Sequence, residues 1–268
     1  MTYVSIPFPR LALAVGLVAL AMALSRRASL GIERDLGLGA VRAAVQLLAI
    51  GYVLLLLFSH QRPGWVFLTL AVMLGVASVT AAGRVEHGPS ARVLAPRALA
   101  SIAAGALVAL LPAFLWIVPP SPWFDARYLV PIGGMMLSSA MNVVAQVFER
   151  TFAQAHVDAP VVEQWLALGA TPQQALAPIT RASLRSAMIP TINGLLTVGL
   201  VALPGMMTGQ ILSGAAPEQA VRYQLVVMYQ LVAVAAVSGM LAAWFARRLL
   251  FTPRGQLRTR WTPTGSRR

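Results

Sequence analysis

The chain has 268 residues, 58% of them hydrophobic and 11% charged, with a mean hydropathy of +0.73. So little polar surface cannot clothe a soluble domain, and the composition is that of an integral membrane protein. There is no cysteine, which excludes disulfides and thiolate metal sites, and the net charge of +13 comes from 21 arginines and no lysine.

The arginines lie in short clusters between apolar runs and at the C-terminus, where anionic lipid headgroups rather than nucleic acid are the natural counter-charge. The absence of lysine also means that no nucleotide-binding P-loop can be written, because that loop needs a lysine for the β- and γ-phosphates. Any ATP that drives this protein is hydrolysed by another chain.

Seven apolar segments have the length of about 20 residues that a membrane span needs, at about 6–24, 41–58, 65–82, 98–118, 128–148, 188–212 and 224–246. The first has the length of a signal-peptide core, but Arg10 precedes it while Arg26 and Arg27 follow it, the reverse of a cleaved signal. With the N-terminus outside, 17 arginines fall in inner loops and the tail against 4 outside, Arg10, Arg62, Arg127 and Arg222. That asymmetry predicts an all-α polytopic protein with seven transmembrane helices, N-terminus out and C-terminus in, in the cell inner (plasma) membrane. Phe8, Phe58, Trp65, Trp116, Tyr128 and Tyr223 then sit at the outer interface, and Phe148, Trp244 and Phe245 at the inner one. Residues 1–251 read as a single permease domain, and 252–268, rich in Pro, Gly and Arg without apolar periodicity, as a disordered basic cytoplasmic tail.

The spans hold no Asp, Glu, Lys or His. Ion-coupled carriers place an ionisable group at depth to carry the coupling, and a membrane enzyme needs a carboxylate pair, a nucleophile with its base or a metal centre. Neither can be assembled, so no enzyme activity and no cofactor are expected, and His60, His87 and His156 read as solvated loop residues. The spans do hold neutral polar groups. Ser138, Asn142 and Gln146 recur every fourth position and share one helix face, as interhelical glue or as the lining of a path. The sixth segment is interrupted, by Pro190 to Gly194 with Asn193 among them, and by Leu203-Pro204-Gly205-Met206-Met207-Thr208-Gly209-Gln210. Such interruptions are tolerated where backbone lines a cavity, and they point to binding sites in transporters. Pro204 predicts a kink. Methionine is plentiful, with core filling as its ordinary role and soft-metal ligation as the other.

Residues 160–190 are too polar to span and too structured in their punctuation for a loose loop. A short helix ends at Gly169, whose missing side chain suits a left-handed C-cap. Thr171 then caps a second helix, with Pro172 at its first position and Gln174 completing a capping box. Glu163, Gly169 six residues on and Ile179 ten beyond that resemble the EAA loop with which ABC-transporter permeases dock their ATPase, although Arg181-Ala182 replaces the expected hydrophobic-Pro pair.

Further blocks sharpen the likeness. V-R-A-A-V-Q-L-L from Val41, G-G-M-M-L-S-S-A-M-N from Gly133, L-A-L-G-A-T-P from Leu166, I-P-T-I-N-G from Ile189, L-P-G-M-M-T-G-Q-I-L-S-G-A from Leu203 and V-R-Y-Q-L-V-V-M from Val221 together resemble the FetB (YbbM) family of ABC-transporter permeases. One departure is Ser138-Ser139 where that family tends to carry Gly-Asn. The resemblance implies a homodimeric permease with two copies of a cytoplasmic ABC ATPase subunit, active in iron export and oxidative-stress resistance. Plant relatives are linked to aluminium tolerance and UDP-glucose movement. It places ATPase coupling in 160–187, with Glu163, Gly169, Ala170, Thr171, Pro172 and Ile179, and a substrate route near Asn142, Gln146, Asn193, Met206, Met207, Thr208 and Gln210. A stand-alone carrier or channel, a permease for a non-metal substrate such as a nucleotide sugar, and a membrane scaffold are the other readings that the residues leave open.

Overall fold

A computed structural model describes residues 8–60, 62–117 and 120–258. Among them the chain is helical, with α1 Phe8–Arg27, α2 Glu33–His60, α3 Pro63–Gly83, α4 Ala91–Pro112, α5 Ala126–Val157, α6 Ala159–Ala167, α7 Pro172–Thr197, α8 Gly205–Leu212 and α9 Pro217–Leu250. Five of them, α2, α3, α4 with its extension, α5 and α9, are long and apolar enough to cross a membrane. The interface roles expected of Phe8 and Arg10 and the setting of the His60 side chain lie outside the described residues, as does the tail beyond residue 258.

The described chain forms two compact units, up to His60 and from Gln61 onward. In the first, α1 and α2 pack as a hairpin whose turn contains Ser29 and Gly31, both with positive φ. Ser25 on α1 donates a hydrogen bond of 2.8 Å to the Glu33 carboxylate at the start of α2.

In the second unit α5 is the axis and packs against α3, α4, α7 and α9, while α4 also lies along α9. Its core is built largely from small residues, among them Ala98, Ala106, Ala140, Ala242, Ala243 and Ala246, around Phe148, Phe152, Ile102 and Met136. In lipid there is no hydrophobic drive between helices, so close backbone approach supplies the packing energy. Gly105 shows how close. A Cβ there would lie 2.0 Å from Ser238 Oγ and 2.9 Å from the Val234 carbonyl oxygen on α9. Beyond Pro112, whose ring cannot continue the α-helical hydrogen-bond pattern, α4 runs on as a π-helical turn over Ala113–Ile117.

The segment expected as one kinked span at 188–212 is broken instead. The helix starts at Pro172, far before the apolar stretch, and stops at Thr197. Residues 198–204 then leave the helix, with Gly199 at φ +83°, before α8 restarts with Pro204 as its N-cap. A left-handed glycine at 199 and, five residues on, a proline without N–H at 204 together remove more of the hydrogen-bond ladder than a bend can accommodate. After α9, residues 252–258 fall in the stretch expected to be disordered, yet they close a tight turn. Thr252 N donates to Gln256 O at 2.9 Å and Arg258 N to Leu250 O at 2.7 Å.

Candidate functional site

The corner between α6 and α7 is built by local chemistry alone. Gly169 takes φ +88°, and behind it Gly169 N donates to Leu166 O at 3.0 Å and Ala170 N to Trp165 O at 2.9 Å. These paired bonds are the Schellman closure of a helix end, which satisfies carbonyls that would otherwise be free. The chain turns at once into the capping box. Thr171 Oγ1 accepts from Gln174 N at 3.3 Å, and Gln174 Oε1 accepts from Thr171 N at 2.9 Å, with Pro172 at the first helical position. From there α7 runs without interruption for 26 residues, about 39 Å at 1.5 Å per residue. Pro178 and Pro190 lie inside it, so Pro190 to Gly194, expected to interrupt the span, do not break this helix.

The residues assigned to coupling divide by exposure. Glu163 and Thr171 are exposed, Ala170 and Pro172 half-buried, and Gly169 has open space around its Cα. Ile179 is buried, only 6% exposed, in the hydrophobic core on which α7 packs. Trp165 at 53% and Leu168 at 84% exposure were missed by the sequence reading. Both stand at the corner, and adjoining exposed large apolar groups mark a contact surface.

Of the residues placed near a substrate route, Asn142 is exposed and Gln146 half-buried on α5, and Asn193 is exposed on α7, a helix that packs on α5. Ser138 is exposed on the same face of α5. The four-residue repeat continues past Gln146 to Arg150, Gln154 and Asp158, the last two joined by a hydrogen bond of 2.8 Å. The polar positions thus run from Ser138 to the C-terminal end of the 32-residue helix, drifting about 40° round its axis at each step. Met206, Met207, Thr208 and Gln210 stand apart from it on α8, which packs chiefly against α9. Met207 is buried, Met206 packs on the core, and Thr208 spends its hydroxyl on the backbone carbonyls of Pro204 and Gly205. Gln210 Oε1 is buried without a hydrogen-bond partner. On α9 the same is true of the Oε1 atoms of Gln224 and Gln230 and of Ser238 Oγ, although Gln230 Nε2 donates to Ala109 O at 3.2 Å. These α9 groups carry no sequence signal, since isolated polar residues in an apolar helix do not say which way they face. No group of three His, Cys, Asp or Glu that could hold a metal ion occurs among the described residues.

One loop histidine, exposed as expected, also has a carboxylate partner. His87, in the loop between α3 and α4, places Nδ1 2.5 Å from Glu149 Oε1 on α5. The other carboxylate oxygen accepts from Glu86 N at 2.7 Å. The hydrogen bond and the charge of Glu149 raise the His87 pKa above its ordinary value.

Comparison with known proteins places the whole arrangement. The family model described as uncharacterised protein family UPF0014 matches residues 8–251. The chain is 39% identical over 244 residues to the rice UPF0014 membrane protein STAR2, covering 91% of this chain and 84% of that one. It is 35% identical over 248 residues to the Arabidopsis thaliana protein ALUMINUM SENSITIVE 3, covering 92% and 89%. It is 34% identical over 247 residues to the Escherichia coli probable iron export permease protein FetB, covering 92% and 93%. No solved structure matches the chain significantly.

Proposed function

The chain belongs to the UPF0014 family of membrane proteins, and from that premise we propose that it is the membrane permease subunit of an ABC transporter, driven by a separate cytoplasmic ATPase. The observation that carries the reading is the α6–Gly169–α7 corner, an outward-facing elbow fused rigidly to a long helix that seats on the axial helix α5. An ATPase that grips Trp165, Leu168 and Glu163 would move α7 as one piece. The broken segment after it and the polar stripe on α5 supply neutral oxygen, nitrogen and thioether groups for a cargo.

Iron export is the substrate reading, by likeness to the E. coli protein whose name states it. With no carboxylate or imidazole cluster among the described residues, iron would pass on amides, hydroxyls, carbonyls and thioethers, or in chelated form. The seven-span count, with α7 and α8 together making the sixth, the orientation with the elbow in the cytoplasm, a homodimer and the inner membrane complete the proposal. A nucleotide sugar is the runner-up cargo.

The test is Gly169→Val in the reconstituted complex with its ATPase. Valine at φ +88° costs about 1–2 kcal/mol of backbone strain. The change alters the corner without a clash, since nothing lies within 4 Å of the Cβ position. Insertion and stability should stay near wild type while ATP hydrolysis continues and transport falls. Normal coupling would remove the docking role of this corner, and transport by the wild-type chain with neither nucleotide nor partner would overturn the reading in favour of a stand-alone carrier.

A further inference from the structure

The end of α9, the turn after it and the first turn of α7 line an open cleft of about 650 Å3 beside the proposed docking corner. Arg247, Arg248 and Arg258 line it, opposite Thr171 and Gln173. None of the three arginines forms an ion pair with a carboxylate among the described residues, and residues 259–268 contain no Asp or Glu. Arg258 is brought back by the backbone, through its 2.7 Å bond to Leu250 O and the left-handed Gly255 at φ +76°, so the cluster is assembled rather than incidental. The positive end of the α7 dipole adds to the same field. Three arginines thus line one concavity with no carboxylate side chain paired to them among the described residues.

Its level selects the anion. The Arg248 guanidinium carbon lies 3.9 Å from the centroid of the Trp244 ring, and Trp244 meets Phe245 edge to face at 4.8 Å. Aromatic rings and arginines closing a 34-residue apolar helix mark the headgroup layer of a bilayer. The remaining lining includes Leu249, Phe251 and Pro253, which suit the glycerol and first methylenes of a lipid better than a hydrated acidic peptide. Basic pockets between helices at the membrane surface take anionic headgroups in this way.

We propose that this cleft binds the phosphate of an anionic phospholipid, which clamps the start of α7 to the end of α9. The experiment uses the purified full chain in bilayer discs of equal parts phosphatidylglycerol and phosphatidylcholine, with retained lipid counted by native mass spectrometry. Wild type should retain phosphatidylglycerol in preference to phosphatidylcholine. Arg247→Gln with Arg258→Gln should weaken that retention about thirtyfold, at roughly a tenfold or smaller loss per removed charge. Arg222→Gln, at the other end of α9, should leave it unchanged, and the Arg247→Lys, Arg258→Lys variant, which keeps the charge, controls for folding by retaining most of the lipid. Three results would overturn the proposal. These are equal retention by the glutamine variant, no preference over phosphatidylcholine in wild type, or complete displacement by millimolar inorganic phosphate, which would make it a free-anion site.

Discussion

Glu149 holds one loop by three contacts, since its carboxylate accepts from the backbone amides of Glu86 and His87 and faces the His87 ring. The raised His87 pKa fixes the sign of a pH effect. Protonation is favoured in the folded chain, so the stabilisation is present in full below the ordinary value of 6.5 and is lost as pH rises through the raised one. Thermal unfolding of His87→Ala should therefore fall clearly below wild type at about pH 5.5 and converge with it in alkaline buffer. A gap independent of pH would show that only packing was lost. Gly105 supports a second prediction at this scale. Gly105→Ala drives a methyl group into Ser238 and the α9 backbone and should cost about 1–3 kcal/mol in thermal or denaturant unfolding. Adding Ser238→Ala should not restore it, because the Val234 carbonyl at 2.9 Å remains.

At the scale of elements, α7 matters most because it is a cytoplasm-directed cap and a membrane-directed rod in one helix under the proposed reading. Its N-terminus depends on a reciprocal pair, so Thr171→Ala removes the side-chain acceptor for Gln174 N and should cost about 1 kcal/mol of stability. Hydrogen exchange of the 173–176 amides is the direct readout, and unchanged protection there would show that the cap is dispensable. The capping box, the proline at the first position and the left-handed glycine are all visible in the sequence, because each depends on neighbours within four residues. The break at 198–204 was legible only as a weakness at Pro204. How far a helix yields depends on whether other groups accept the freed carbonyls, and here Thr197 O takes the amides of Leu200 and Val201. The polar stripe was likewise legible in part, from Ser138 to Gln146, while its extension through Arg150 to Asp158 emerged once α5 proved to be a single 32-residue helix.

For the whole molecule, the proposed orientation makes a claim that chemistry can read directly. The chain has no cysteine, so single thiols can be introduced without background. Glu163→Cys, exposed on α6, should react with a membrane-impermeant maleimide only from the cytoplasmic side, and Arg62→Cys, exposed between α2 and α3, only from outside. Reaction of residue 163 from outside would invert the topology and end the docking reading.

Sequence alone determined that the chain is a helical membrane protein and that a helix ends near Gly169 and another starts at the Thr171 cap. Those facts follow from composition and from short-range hydrogen bonding. Tertiary structure alone decided that Ile179 is buried in the core, that His87 finds Glu149 across 62 residues, and that Thr171 and Gln173 share a cleft with arginines from residue 247 onward. The reason is the solvent. In lipid an apolar side chain is equally at home inside the bundle or outside it, so hydrophobic periodicity does not say which face of a helix turns inward, and only the packing of one helix on another makes that choice.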